Sequence, residues 1–221
     1  MEHAQVLTVQ KKPVNVARWV MWILATGLMI FFIFAVVLPY FGFTEEALGR
    51  FYNVKWWLVG HIIGGLAALL LGPFQFIGSF RRKFLKFHKR SGRIYVGGIA
   101  LAIACSLVLA FTSALAMHWT WTVSLLFLAL AWGITTGKAL TTILKKKVEE
   151  HKKWMIRSYI VTFSAVNFRW MFAVLMGAEA GNMVVLASVS LWISWAVPLI
   201  INEMIQRNKE KRDAYQQQQY A

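Results

Sequence analysis

From Trp19 to Tyr40 the chain runs 22 residues with almost no polar side chain, and five more apolar runs follow. They fall at about residues 56–77, 94–117, 121–144, 154–176 and 183–205. A helix rising ~1.5 Å per residue needs roughly 20 residues to cross ~30 Å of hydrocarbon. Lipid offers no partners to backbone N–H and C=O groups, so a crossing segment satisfies them internally, as a helix does. Six such runs in 221 residues, with 58% hydrophobic and 15% charged residues, exclude an ordinary soluble domain. The predicted fold is all-α: a polytopic bundle of six transmembrane helices.

The basic residues set the direction of the spans. Phe80 to Tyr95 reads FRRKFLKFHKRSGRIY, with seven Lys/Arg and no acid, between two of the apolar runs. Basic loops resist translocation and stay on the cytoplasmic side. Under that assignment 20 of the 24 Lys/Arg lie inside, Arg50 and Lys55 lie outside, and Lys138 and Arg169 fall within spans. Both termini are then cytoplasmic. A formal charge of +15 in alternate loops speaks for anionic lipid at the inner face, not nucleic acid.

The first apolar run is too long for a signal peptide and reads as an uncleaved span. The lone Cys105 allows no intrachain disulfide. The expected organisation is a polar segment over 1–18, a membrane domain over 19–205 and a charged, glutamine-rich tail over 206–221, expected to be disordered. Pro198 is expected to kink the last span.

Polar groups inside a bilayer are costly, so each calls for a reason. No Asp or Glu lies well inside a span, which leaves histidines, Arg169 and small-residue stripes. His61, near the start of the second span, and His118, in the short link after the third, sit toward the outer side; His88 and His151 sit at the inner edge. Two outer and two inner imidazoles are what a bundle holding two b-type haems would present, and bis-histidine ligation suits electron transfer. Histidine is also common at membrane interfaces, His118 can cap its helix, and His61 can serve an internal hydrogen bond.

Gly60, Gly64, Ala68 and Gly72 recur every four residues, a ridge suited to close helix packing or to clearance for a flat macrocycle. Arg169 lies 12 residues after Arg157, roughly 18 Å along a helix, with no carboxylate in a span to neutralise it. Backbone carbonyls, cavity water, a lipid phosphate and a haem propionate are all candidate partners for it. Thr135, Thr136, Thr141, Thr142, Ser158, Ser164 and Asn167 read as polar glue between or within helices. No phosphate-binding loop, zinc spacing or nucleophile elbow is present.

His61-Ile62-Ile63-Gly64-Gly65, Gly72-Pro73-Phe74-Gln75-Phe76, His88-Lys89-Arg90-Ser91-Gly92-Arg93-Ile94-Tyr95, Trp132-Gly133-Ile134-Thr135-Thr136, His151 to Tyr159 and Arg169 together carry a family resemblance. Over roughly residues 57–172 the chain resembles the bacterial membrane family known as domain of unknown function 2306. The resemblance implies a multi-pass protein of the bacterial plasma membrane and marks His61, His88, His151 and Arg169 as positions to watch; His118 matches no motif of it. Three functions stay open. One is electron transfer through haem b, across the membrane or linked to quinone. Another is an accessory or assembly subunit of a larger complex, or a lipid-binding module. The third is a small-solute transporter with Arg169 in its pathway.

Overall fold

The computed structural model describes residues 16–219, so most of the polar segment expected over 1–18, and the last two residues, lie outside the described part. Six long helices form the bundle: α1 (Val16–Phe32), α3 (Lys55–Phe76), α5 (Leu85–Leu109), α6 (Trp119–Leu144), α7 (Val148–Gly177) and α8 (Met183–Gln219). A π-turn (Ile33–Val37) and a 3-10 turn (Leu38–Gly42) prolong α1, and a second π-turn (Ala110–Ala114) prolongs α5. Two short helices, α2 (Glu45–Leu48) and α4 (Gly78–Lys83), ride in the links. Each long element is apolar enough to span a membrane, in agreement with the predicted six spans. An even number of crossings returns the chain to the face it left. That basic face carries the 78–95 and 145–157 stretches; the far face carries the 43–54 link and His118.

Packing follows the small residues. The α3–α5 interface is the most extensive in the bundle. A Cβ on Gly60 would stand 2.7 Å from Cys105 Sγ, and one on Gly64 would stand 2.9 Å from Ala102 N and collide with the Gly98 carbonyl. At Gly72 the obstacle is the ring of Tyr159, from α7. The ridge is therefore filled by α5 and Tyr159, and the macrocycle reading of it is corrected: helix packing leaves no clearance there.

α7 is the hub. It packs on α6 and α8 and also touches α3 and α1. It also repairs the backbone at both helix-interior prolines. Proline has no N–H, so Pro73 in α3 and Pro198 in α8 each free the carbonyl four residues back. Those carbonyls belong to Leu69 and Ser194. Tyr159 donates its hydroxyl to Leu69 O at 3.2 Å, and Asn167 donates its amide to Ser194 O at 3.3 Å. A membrane helix tolerates proline where a neighbour satisfies the freed group in this way.

The tail departs from expectation. Residues 206–219 continue α8 as helix instead of forming an irregular segment. That stretch contains no Gly or Pro and is rich in Gln, Lys and Arg, all good helix formers. Ion pairs across to α7 hold it in line: Arg157 grips Glu203 with Nε (2.5 Å) and Nη2 (2.9 Å), and Lys153 pairs with Glu210. The Arg157 guanidinium also lies 4.5 Å over the Trp154 ring.

Candidate functional site

In the half of the bundle nearer the basic face, five side chains from three helices close a buried polar seam. Tyr95 of α5 is fully buried, and its hydroxyl bonds Ser158 Oγ (2.8 Å) and Thr162 Oγ1 (3.1 Å) of α7. Thr136 of α6 bonds Ser158 Oγ at 2.8 Å, and Trp132 Nε1 donates to Thr162 Oγ1 at 2.9 Å. The glue role read for Thr136 and Ser158 is thus a bond between helices; Asn167 likewise joins α7 to α8. Thr135, Thr141, Thr142 and Ser164 instead donate to carbonyls of their own helices. Tyr95, Trp132 and Thr162 went unflagged as a site, because an aromatic or a threonine inside an apolar run gives no sign of its partner.

The same contact sets the level of the histidines. α5 and α7 run parallel, and Tyr95 meets Ser158, 63 residues further on. The same offset from His88 lands on His151. The two rings lie within coulombic reach of one another and of Arg81 at the basic face. His151 Nδ1 lies 2.8 Å from the Ala139 carbonyl. A carbonyl only accepts, so Nδ1 carries the proton and the Nε2 lone pair is left free, the tautomer of an iron ligand. His88 Nδ1 is buried without a hydrogen-bond partner, at a cost unless something occupies it. Next to these, Gln75 Nε2 donates to Ser91 Oγ at 2.8 Å, tying α3 to α5 just inside the face.

The outer pair does not form. His61 Nδ1 lies 3.0 Å from the Ala102 carbonyl and so donates to it, which points the ring at the middle of α5. His118 serves as the N-cap of α6: its Nδ1 accepts from Thr120 N at 3.2 Å and meets Thr120 Oγ1 at 2.8 Å. Accepting at Nδ1 puts the proton of a neutral imidazole on Nε2, the tautomer opposite to a ligand. Gly60 faces Cys105, and α5 with its extension rises roughly 13 Å from Cys105 to Ala114 before the turn that leads to His118. The expectation of an outer haem between His61 and His118 is corrected on these grounds: one ring is engaged as a cap and the other lies well below it.

Arg169 also stands apart from the histidines. It is exposed on the bundle surface, with its guanidinium 5.4 Å over the Phe168 ring. It lies 18 residues beyond His151, roughly 27 Å along α7, too far to meet a propionate at the inner pair. Counted from Gly177 it lies roughly 12 Å inside the far end of α7. Among the described residues no three His, Cys, Asp or Glu side chains group as a metal site.

Comparison with known proteins adds one match. No curated protein and no solved structure matches the chain. A family model described as "Predicted membrane protein (DUF2306)" matches residues 58–206. That span takes in most of α3, all of α4 to α7 and the first part of α8, with His61, His88, His118, His151, Arg81, Arg157 and Arg169, and leaves out α1. It is most of the chain: this six-span helical protein belongs to the DUF2306 family of predicted membrane proteins.

Proposed function

We propose that this is an electron-transfer protein of the bacterial plasma membrane that holds one b-type haem between His88 and His151, close to the basic face, and passes electrons to or from a quinone or a redox partner at that face. The observation that carries it is the inner pair itself: two imidazoles at one level on parallel helices, one with Nε2 free and the other with an unpartnered buried Nδ1. Neutral imidazoles on opposite sides of an iron are the usual bis-histidine arrangement for electron transfer. Arg81 beside His88 supplies a cation suited to a propionate, and the basic stretches would hold the face against anionic lipid. The bonded seam of Tyr95, Ser158, Thr136 and Thr162 keeps α5, α6 and α7 in the register that levels the two rings.

An absorption spectrum of the full chain purified from haem-replete cells tests this. The expected result is a Soret band, with sharp bands on reduction, that disappears in His88→Leu and His151→Leu and persists in His118→Leu. A colourless preparation would sink the proposal. A second reading, an accessory subunit of a larger membrane complex, draws on α1, which lies outside the family match and, from Val20 onward, leaves most of its side chains exposed.

A further inference from the structure

The far face carries an open surface pocket of about 420 Å³ between the 49–54 turn and the π-turn that prolongs α5, with Arg50, Asn53, Thr112 and Ala116 exposed around it. That volume falls within the range of small-molecule sites, ~300–1,000 Å³. The π-turn shapes its wall: Leu115 N bonds Ala110 O across five residues, and π-turns of this kind often sit at functional sites. Arg50 lines the cavity, with its guanidinium 5.0 Å over the Phe51 ring and an N–H on the thioether of Met117. Neither neighbour carries a charge. Among the described residues no carboxylate lies within ion-pair distance of Arg50, and Glu45 and Glu46 are not in the lining.

The remaining polar lining sorts by donor capacity. Thr112 spends its hydroxyl proton on Val108 O at 2.7 Å, and Ser113 directs its own to Arg50 O at 3.5 Å. The donors left for a ligand are Arg50 and the Asn53 amide. Val54, Ala116 and Met117 make the rest of the wall apolar. A guanidinium fork matches a carboxylate in two-point geometry, and a single uncompensated cation matches a single negative charge.

We infer that this cavity is a binding site for a small organic monocarboxylate with an apolar body, reached from the far face and independent of the histidine pair. The test uses the full chain in nanodiscs of neutral phosphatidylcholine, titrated by calorimetry with benzoate as probe and benzyl alcohol as its uncharged counterpart. Saturable benzoate binding is expected, with benzyl alcohol weaker by roughly tenfold or more, the worth of one charge-assisted contact. Arg50→Leu is expected to weaken benzoate by a similar factor. Ala116→Leu keeps the charge and fills the cavity, and it is expected to block binding too. Absence of saturable binding, equal binding of the two probes, or indifference to both substitutions would overturn the inference. Loss of benzoate binding when phosphatidylglycerol is added to the disc would assign the site to a lipid headgroup and overturn the free-acid reading.

Discussion

Gly64→Leu is expected to remove folded protein from the membrane fraction. A side chain at this position is driven into the backbone of α5, at the Gly98 carbonyl and at Ala102 N, 2.9 Å from the added Cβ. No flexible side chain can swing aside there, so the two helices must part along the most extensive interface of the bundle. Overpacking of a tight core costs about 1–3 kcal/mol, and backbone-on-backbone collision belongs at or above the top of that range. Within a stability margin of ~5–15 kcal/mol such a loss is large. The natural control is Gly97 of α5, next to Gly98 in the chain, where an added Cβ meets nothing within 4 Å. Gly97→Ala is expected to leave thermal stability unchanged or raise it by roughly 0.5–1 kcal/mol. Unfolding midpoints in mild detergent read both variants, and equal tolerance of both would mean that α3 and α5 do not pack through this ridge.

Tyr159→Phe is the second large effect, and it tests the repair of the proline break. The variant keeps the ring that fills the Gly72 notch and deletes only the hydroxyl that Leu69 O accepts. A buried carbonyl left unpaired costs about 1–3 kcal/mol. In a Pro73→Ala background the restored amide of residue 73 bonds the same carbonyl, so the hydroxyl becomes dispensable. The cost of Tyr159→Phe is therefore expected to fall by about 1 kcal/mol or more in that background, a coupling read from a double-mutant cycle of unfolding midpoints. Strict additivity of the two substitutions would show that Tyr159 does not serve the proline-freed carbonyl.

These two cases mark where sequence reading reaches and where it stops. The spans were legible because burying charge and unpaired backbone in hydrocarbon is prohibitive, so apolar length alone locates α1, α3 and α5 to α8. Gly60, Gly64 and Gly72 announced a close approach by their spacing, but not what approaches, since Tyr159 reaches Gly72 from 87 residues further along the chain. The prolines announced freed carbonyls without naming their partners for the same reason. His88 and His151 read as one level because depth in a membrane is nearly one-dimensional, and the Tyr95–Ser158 contact aligns α5 and α7 at the same 63-residue offset. His61 and His118 broke that rule. α3 begins only at Lys55, after the 49–54 turn, whose Arg50 carbonyl accepts from Ser113 at the far face. The helical tail is masked in the sequence by its charge and glutamine content, and the partners that hold α8 there, Lys153 and Arg157, lie far off in the chain.

The proposed haem site is single and lies between His88 and His151, whereas His118 caps α6 and His61 bonds the Ala102 carbonyl. Haem content measured as the pyridine haemochrome against amino-acid analysis of the purified chain tests this directly. The arrangement predicts about one haem per chain, falling to none when His151 is replaced by leucine. Two haems per chain, or none in the wild type, would contradict it.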